Sequence, residues 1–378
     1  MARSEDVQML VSMMSAKFGE GAVARACDAK ALLVKKRFCT GSDALDIALG
    51  GGWMEGRVNE LAGQFSAGKT TLSTISAGHF ILEDFDNSSV LWVDAEKAFD
   101  PCWAKRVLRQ AGLDKAYRKF TIASPACGED AVDMVYDAGD KVSRNHRLLV
   151  VLDSLAALTP KYEMEHDSEK KGVGMSPRLI SQLLRKTTTL LNRNLLSPKP
   201  QFTLIALNQV RVNIGVMYGD PETVPGGKAL EHMTAVRVRL RRKESIKEEL
   251  AIAGEKMQNA VGTRIQFTVW KDKTGGSVYH DKGFFTFYDR PYEGTPGAAI
   301  DNPGDILPLA LMYGVVHRKK RTLVYRADDG TLKFGSDKAY RCYMRQHGDV
   351  FSKIKSEVAT EHRRVMWREE AKSEAAFG

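Results

Sequence analysis

Short apolar runs alternate with longer amphipathic stretches between residue 40 and about residue 290. Four of these runs are apolar enough to form buried strands: SVLWVDAE (89–96), KFTIAS (119–124), LLVVLDS (148–154) and FTLIALNQ (202–209). Helical patterns lie between them, near residues 101–111, 129–143 and 177–195. This alternation predicts an α/β fold with a mostly parallel sheet that helices cover on both faces. Ligands of such a sheet bind at the carboxyl ends of its strands.

Three further apolar runs follow without long helices between them. They read AVRVRLRR, GTRIQFTVW and FFTFY, and we expect them to add antiparallel strands at one edge of the sheet. After Asn302 the pattern changes to a helix (DILPLALMYG), a candidate hairpin (TLVYRADDGTLKFG) and a final helix. This succession predicts a small C-terminal α+β domain.

At the N-terminus, Val7, Leu10, Val11 and Met14 recur at helical spacing and predict a short amphipathic helix. This helix either packs on a neighbouring molecule or caps its own core, and the pattern leaves both interpretations open. The chain thus divides into an N-terminal oligomerisation segment (1–39), a core (40–290), a C-terminal domain (291–355) and a tail (356–378).

Composition adds a preference for anionic partners. The 378 residues carry a formal net charge of +9 and have a pI of about 9.2, which favours nucleic acid without identifying it. Five cysteines are scattered without a C-x-x-C pair, which argues against a zinc site and for reduced thiols. The first residues lack the apolar run of a secretion signal. The most apolar stretch, LLVVLDSLAAL, is short and interrupted by Asp153, so we expect a cytoplasmic protein without a membrane span.

The stretch LAGQFSAGKTTLS, residues 61–73, contains the pattern G-x-x-x-x-G-K-[ST] of a phosphate-binding loop. Two glycines let the backbone turn where a side chain would clash, so that successive N–H groups can point at anionic oxygens. The positive end of the following helix adds to this field. Lys69 can reach the outer phosphates of a nucleotide, and the hydroxyl of Thr70 can ligate Mg²⁺.

The neighbourhood of this loop favours the nucleotide interpretation over a chance glycine-rich turn. A predicted strand at 58–61 precedes the loop and a predicted helix at 71–82 follows it, as phosphate binding requires. The nucleotide-binding residues predicted from this motif are Gly63, Gln64, Phe65, Ser66, Ala67, Gly68, Lys69, Thr70 and Thr71.

Two carboxylates follow predicted strands at the same edge of the sheet. Asp153 ends LLVVLDS, where it can hold Mg²⁺ through water opposite Thr70. Glu96 lies at the end of SVLWVDAE, where it can orient or deprotonate an attacking water. Glu96 could instead cap the next helix, a role that Asp94 or Asp100 could also fill.

A tryptophan and two glycine-containing stretches are further candidates for ligand binding at the carboxyl ends of the strands. Trp103 in FDPCW could stack on a nucleobase, although a single tryptophan is more often part of a core. The glycine-rich stretch LNQVRVNIGVMYGDPETVPGGKALE (207–231) reads as a long functional loop, and a second flexible stretch lies at 165–178. Basic and aromatic residues in such loops suit the backbone and the bases of a nucleic acid.

These motifs together resemble the RecA family of DNA strand-exchange recombinases. The resemblance runs through TGSDALDIALGGG, GQFSAGKTTL, VDAEKAFDP, LLVVLDSLAALTP and NQVRVNIGVMYGDPETVPGGKALE, and covers roughly residues 5–290. The phosphate loop alone occurs in many ATPases, whereas the combination is specific. The resemblance implies a RecA-like phosphate-loop ATPase core that uses ATP and Mg²⁺.

The resemblance also implies roles for single residues of the nucleotide site. Glu96 matches the catalytic glutamate, Asp153 the metal-associated acid, and Lys69 and Thr70 the nucleotide and Mg²⁺ residues. Gln209 matches a glutamine that senses the γ-phosphate and relays its presence to a DNA-binding loop.

Five more positions match family sites around the nucleotide. Lys271 and Lys273 in WKDK match a lysine pair that reaches the γ-phosphate of the neighbouring subunit. Asp100 and Trp103 match adenine-contacting positions. Tyr288 matches an adenine-stacking position, behind a segment that is slightly longer than in the family.

Two DNA-binding loops are implied near residues 165–178 and 210–228. Val173 falls near a methionine that wedges into DNA in relatives, and the tail lacks the strongly acidic character of bacterial relatives, a departure that fits a virus-encoded member. The implied DNA-contacting residues are Val173, Gly174, Arg178, Arg185, Arg211, Gly226, Gly227 and Lys228.

The function that the resemblance implies is a DNA-dependent ATPase that forms helical filaments on single-stranded DNA and exchanges strands with double-stranded DNA. Single-strand-binding and mediator proteins are candidate partners. Two alternatives are a hexameric helicase of the same fold and a catalytically inactive recombination mediator. The WKDK pair and the NIGVM loop argue against the helicase, and the intact set of Lys69, Thr70, Glu96 and Asp153 argues against the mediator.

Overall fold

The computed structural model describes residues 2–18, 23, 25, 36–143, 145–165, 175–193, 202–212, 222–252, 255–273, 281–327 and 330–366. The helices are α1 (Ala2–Phe18), α2 (Asp43–Ala48), α3 (Lys69–Leu82), α4 (Pro101–Gln110), α5 (Gly128–Lys141), α6 (Lys161–Glu165), α7 (Met175–Arg193), α8 (Gly227–Met233), α9 (Asn302–Met312), α10 (Asp337–Gln346) and α11 (Gly348–Met366).

The strands are β1 (Arg37–Phe38), β2 (Trp53–Met54), β3 (Val58–Gly63), β4 (Ser88–Asp94), β5 (Phe120–Ala123), β6 (Arg147–Asp153), β7 (Phe202–Gln209), β8 (Arg211–Val212), β9 (Glu222–Thr223), β10 (Val236–Ile252), β11 (Glu255–Asp272), β12 (Lys282–Tyr288), β13 (Ala299–Ile300), β14 (Val316–Lys319), β15 (Thr322–Ala327) and β16 (Gly330–Phe334). The strands and helices predicted between residues 89 and 209 match these bounds within a few residues.

A nine-stranded sheet forms the centre of the core, in the order β13-β12-β11-β10-β3-β7-β6-β4-β5. The six strands from β10 to β5 run parallel to one another. Strands β11, β12 and β13 add antiparallel pairs at one edge. The predicted α/β fold with a mostly parallel sheet is therefore confirmed, including the antiparallel edge.

Both faces of the sheet are buried, which explains why its strands read as continuous apolar runs. In β6, Leu149 and Val151 belong to a core cluster that packs under α3 and α4. Val150 and Leu152 belong to a second cluster under α5, α7 and α8. Because successive residues of a strand point to opposite faces, the run LLVVL supplies both layers at once.

Strands β10 and β11 form a hairpin that is longer than the sequence pattern predicts. The register continues as far as Ile252 opposite Glu255, whereas β3 pairs only with residues 236–240 and β12 only with residues 262–268. The outer half of the hairpin therefore extends beyond the sheet. Its sequence, KESIKEEL, alternates charged and apolar residues irregularly, so it gave no clear period-two signal.

The C-terminal domain has its own core. Strands β14, β15 and β16 form a three-stranded antiparallel sheet, and α9, α10 and α11 pack with it around one apolar cluster. The predicted helix and hairpin are present, and the sequence pattern missed β14. Helix α11 continues through residue 356, the proposed start of the tail, and buries Val358 and His362. Residues 367–378 lie outside the described part.

The N-terminal helix α1 presents apolar side chains to solvent. Val7, Leu10 and Met14 are 44%, 54% and 39% exposed. This exposure favours packing on a neighbouring molecule over capping of its own core, and that assignment stays a proposal. Within the described ranges, no helix is long and apolar enough to cross a membrane.

Candidate nucleotide-binding and DNA-binding site

The phosphate loop connects the end of β3 to the start of α3, at the carboxyl edge of the parallel strands. Gly68 caps α3 with φ of +85°, and a Cβ there would lie 3.0 Å from the Cδ1 of Ile265. A Cβ on Gly63 would lie 2.8 Å from the carbonyl oxygen of Leu240. Both glycines are therefore required by conformation or by close approach, as the motif predicts.

The Lys69 side chain folds back over the loop. Its Nζ donates to the carbonyl oxygens of Gly63 at 3.0 Å and Gln64 at 2.9 Å. Burial lowers the pKa of this lysine, and the nearby carboxylates of Glu96 and Asp153 oppose that shift. The ammonium group thus lies at the centre of the loop with acidic neighbours on one side.

Thr70 and Asp153 meet across the carboxyl edge. The Thr70 hydroxyl donates to the Oδ2 of Asp153 at 3.0 Å. Burial raises the pKa of Asp153 to about 6, and the hydroxyl bond opposes that shift. A buried carboxylate next to a hydroxyl is a hard oxygen donor pair that suits Mg²⁺. The described residues contain no cluster of three His, Cys, Asp or Glu side chains for a metal held by protein alone.

Glu96 makes hydrogen bonds both to Asp153, at the end of β6, and to Gln209, at the end of β7 before the long loop. Its backbone N–H donates to the carbonyl oxygen of Asp153 at 3.1 Å. Its Oε1 accepts from the Nε2 of Gln209 at 2.8 Å and from the hydroxyl of Ser154. The sequence interpretation assigned no role to Ser154, although it directly follows Asp153 in LLVVLDS.

The helix-capping alternative for Glu96 is wrong. Asp100 caps α4 by accepting from the backbone N–H groups of Cys102 and Trp103 at 2.8 and 3.1 Å. Asp94 accepts from the N–H of Phe99 at 2.9 Å. The carboxylate of Glu96 is exposed and remains directed at the site, while Asp100 has a structural partner in its own helix.

A cavity of about 150 Å³ lies beside the phosphate loop. Trp103 lines it, and the Nε1 of Trp103 donates to the hydroxyl of Thr71 at 3.4 Å. Trp103 also packs edge-on against Phe287, with ring centroids 6.0 Å apart. Other residues that line the cavity are Ser66, Gly68, Thr263, Ile265, Phe285 and Asp289.

The structure does not bring Tyr288 to this cavity. Tyr288 is 3% exposed, stacks near Tyr292 at 5.5 Å and lines a larger cavity next to the C-terminal domain. The residues on either side of it, Phe287 and Asp289, line the cavity beside the phosphate loop instead. Phe287 and Tyr288 line different cavities because successive strand residues face opposite sides, and the adenine-stacking assignment for Tyr288 stays a prediction.

Lys271 and Lys273 lie side by side towards the amino ends of the parallel strands, whereas the phosphate loop lies at the carboxyl ends. Their ammonium groups donate to the carbonyl oxygens of Glu231 and His232, near the C-terminus of α8. A helix C-terminus is a favourable place for cations. Burial lowers the pKa of Lys271 to about 8, and the charge of Lys273 adds to that shift.

The register of the sheet separates this lysine pair from the phosphate loop of the same chain. Lys271 pairs with Arg237, which in turn pairs with Glu60 of β3. Glu60 precedes Gly63 by three residues, which is about 10 Å along a strand. The lysines thus lie towards the amino ends of the parallel strands and the phosphate loop at their carboxyl ends.

Four of the predicted DNA-binding residues carry charged side chains on the exposed surface. Arg178 and Arg185 are exposed on α7, and Arg211 and Lys228 are exposed at the two ends of the loop. Gly226 has φ of +106°, and it is followed by Gly227 at the start of α8. Val173 and Gly174 lie outside the described residues.

Comparison with known proteins decides the family. The family model of the RecA N-terminal domain matches residues 5–281. The chain belongs to the RecA family. It is 34% identical over 337 residues to "Protein RecA" of Chlorobaculum tepidum, covering 88% of this chain and 86% of that protein. It is 33% identical over 376 residues to "Protein RecA" of Streptomyces venezuelae, covering 99% and 89% of the two chains.

Membership of the RecA family agrees with the architecture of the site. A third relative, "Protein RecA" of Chlorobaculum parvum, is 35% identical over 320 residues, covering 84% of this chain and 82% of that protein. The alignments extend well beyond the phosphate loop, so they do not rest on a motif that many ATPases share. The sheet, the phosphate loop and the strand-end acids described above are thus those of a RecA-family core.

Proposed function

We propose that this chain is an ATP-dependent recombinase. It would form helical filaments on single-stranded DNA and catalyse homologous pairing and strand exchange with double-stranded DNA, in recombination and DNA repair. The observation that carries the proposal is the 2.8 Å hydrogen bond from Gln209 to Glu96. It joins the nucleotide site directly to the strand that enters the proposed DNA-binding loop.

Binding of ATP rests on the phosphate loop. The backbone N–H groups of residues 63–70 and the start of α3 supply a positive field for the phosphates. Lys69 adds a cation that can exchange its two carbonyl partners for phosphate oxygens. The base would enter the cavity that Trp103 and Phe287 line.

A divalent cation fits the same edge. Thr70 and Asp153 would hold it, because a hydroxyl and a carboxylate at 3.0 Å offer the oxygen ligands that Mg²⁺ prefers. When bound, the ion would neutralise negative charge on the phosphates. Asp153 is kept in place by its strand and by the Thr70 hydroxyl.

Glu96 is the proposed general base. Its carboxylate accepts hydrogen bonds from the uncharged side chains of Gln209 and Ser154. It can accept a proton from a water that attacks the γ-phosphorus, so that the bond to the β-phosphate oxygen breaks and ADP and phosphate leave. General-base help of this kind contributes typically ~10²–10⁴-fold to the rate.

Gln209 is the proposed sensor of the nucleotide state. It ends β7 and lies two residues before Arg211 at the start of the loop. A γ-phosphate near Glu96 would compete for the Gln209 amide, and a changed position of Gln209 would reach the loop through the chain itself. ATP and DNA binding would then favour the same state.

The lysine pair at the amino edge would act on a second copy of the chain. Lys271 and Lys273 lie away from the phosphate loop of their own chain, as the register shows. A head-to-tail contact between copies generates an open helical filament when the rotation does not close. In such a filament the pair would complete the nucleotide site of the neighbour.

The two alternative functions are not favoured. A hexameric helicase would be expected to use an arginine finger rather than the Lys271 and Lys273 pair. The chain also belongs to a family whose matched relatives are named RecA. An inactive mediator is not expected to keep Lys69, Thr70, Glu96 and Asp153 together in one geometry. Single-strand-binding and mediator proteins remain proposed partners.

One experiment separates the three functions. ATP hydrolysis is measured with and without single-stranded DNA, and the products are imaged by electron microscopy. Filaments with DNA-stimulated hydrolysis are the expected result. Closed rings would support the helicase, and binding to recombination partners without turnover would support the mediator.

A further inference from the structure

Glu222 links the far end of the long loop to the phosphate loop. Its carboxylate is 4% exposed and accepts from the Nε2 of Gln64 at 3.3 Å, from Arg239 at 2.6 Å and from Arg241 at 2.5 Å. Gln64 is the residue directly after Gly63 in the phosphate loop, and its side chain is exposed. The two arginines of β10 fix the carboxylate, so that Gln64 meets a held acceptor.

The two ends of the loop are thereby tied to the nucleotide site by separate contacts. Strands β8 and β9 close the base of the loop, with Arg211 opposite Thr223 and Val212 opposite Glu222. The incoming end is connected through Gln209 to Glu96. The outgoing end is connected through Glu222 to Gln64.

The backbone of Gln64 connects this contact to the phosphates. The carbonyl oxygen of Gln64 accepts from Lys69, the lysine proposed to bind the outer phosphates. Phosphate oxygens that compete for Lys69 would free this carbonyl. Because the carbonyl and the side chain belong to one residue, a rotation of its backbone changes the distance from the amide to Glu222.

We infer that Gln64 and Glu222 are a second coupling pair between bound ATP and DNA affinity. Both act as positioning residues. Gln64 moves with the phosphate loop, and its hydrogen bond to Glu222 transmits that movement to the base of the DNA-binding loop beside Arg211. This inference rests on the proposed function, because it needs DNA binding that depends on the nucleotide.

The test measures the affinity for labelled oligothymidylate with a slowly hydrolysed ATP analogue and with ADP. The readout is the ratio of the two dissociation constants, measured by fluorescence anisotropy on the full chain. Gln64→Ala should reduce this ratio by about three- to tenfold, the range for the net loss of an ordinary hydrogen bond, with the ADP value unchanged. Gln110→Ala, the same change at an exposed glutamine of α4, is the matched control and should keep the wild-type ratio.

An exchange of the two groups sharpens the test. Gln64→Glu alone places two carboxylates together and should lower the ratio, whereas Gln64→Glu combined with Glu222→Gln should recover part of that loss. If the wild-type ratio is large and Gln64→Ala does not change it, the coupling pair is overturned but the proposed function is not. The same holds if Gln64→Ala changes both dissociation constants equally. A wild-type ratio close to one contradicts the proposed function and the pair with it.

Discussion

The carboxyl and amino ends of the parallel strands, called here the carboxyl edge and the amino edge, carry different charged side chains. At the carboxyl edge, Thr70 bonds to Asp153 and Gln209 bonds to Glu96, so predicted residues from separate strands touch one another. At the amino edge, Lys271 and Lys273 lie together against the end of a helix. The carboxyl edge is rich in carboxylates, and the amino edge offers cations.

From this difference we predict that a single chain hydrolyses ATP poorly. Transferring the γ-phosphoryl group develops charge that needs cations on more than one side. Lys69 supplies one from within the loop, and the register keeps the lysine pair away from it. We therefore expect variants of the carboxyl edge to act within a chain and variants of the amino edge to act between chains.

The largest effect is expected from Lys69→Ala at the carboxyl edge. Removing the loop cation should abolish ATP-dependent DNA binding and lower hydrolysis by at least ~10²-fold, as for loss of a transition-state donor. Phosphate release and thermal unfolding check this together, with the exposed Lys105→Ala on α4 as the control. Near-normal turnover in the folded variant would remove the phosphate-loop assignment.

Glu96→Gln should retain ATP and lose hydrolysis. The amide keeps the shape of the side chain but cannot accept the proton of water, so the rate should fall by ~10²–10⁴-fold. Filaments of this variant should dissociate from DNA more slowly than those of the wild type, as dissociation kinetics would measure. Unimpaired hydrolysis with wild-type dissociation would speak against Glu96 as the base.

Changing both Lys271→Ala and Lys273→Ala should leave a folded chain and lower hydrolysis on DNA by about 10–100-fold, the value of charged hydrogen bonds. ATP binding by the isolated chain should change little, because the pair lies at the other edge. Equilibrium nucleotide binding and DNA-stimulated phosphate release separate the two effects. The control is the double variant Lys243→Ala with Lys247→Ala on the long hairpin. An equal loss of hydrolysis in that control would mean that the effect comes from the reduced net charge and not from the position of Lys271 and Lys273.

Arg211→Ala should weaken DNA binding and also its salt dependence. Each phosphate that a cation neutralises on a single strand contributes a slope of roughly −0.7 in log affinity against log salt. Losing one such contact should reduce the slope by about that amount, as titrations at several salt concentrations show. An unchanged slope and affinity would mean that the net charge of +9 binds DNA diffusely over the surface.

The smallest effect is expected from pH. The pKa of Lys271 is lowered to about 8, so this lysine is a cation below that pH and loses its charge above it. DNA-stimulated hydrolysis should decline as the pH rises through this range. Lys271→Arg keeps the charge and should shift the decline to higher pH, and identical profiles would exclude Lys271 as its source.

Much of this architecture could be predicted from the sequence, because strand ends are easy to recognise and parallel strands share one edge. That rule brought Glu96 and Asp153 to the phosphate loop from separate segments, whereas the place of Gln209 came from the resemblance to the RecA family. It does not fix which face a side chain takes: in β12, Phe287 lines the cavity beside the phosphate loop and Tyr288 lines another. The contact between Gln64 and Glu222 depends on side-chain directions in distant segments, which spacing does not reveal.

The long hairpin and the helix α11 show a second limit. Hydrophobic period is the main signal for an element, and charged stretches such as KESIKEEL carry little of it. In α11, the mixed charges after residue 356 suggested a tail, although Val358 and His362 keep a buried face at helical spacing. Two buried positions four residues apart are too weak a signal to predict a helix against a highly charged composition.

Complementation between variants tests the central claim most directly. Glu96→Gln chains and Lys271→Ala/Lys273→Ala chains are mixed in equal amounts on single-stranded DNA, and hydrolysis is measured. If the two edges meet between chains, interfaces with an intact carboxyl edge from one variant and intact lysines from the other recover about a quarter of the wild-type rate on random mixing. A mixture no more active than the two variants separately would contradict a nucleotide site shared between subunits.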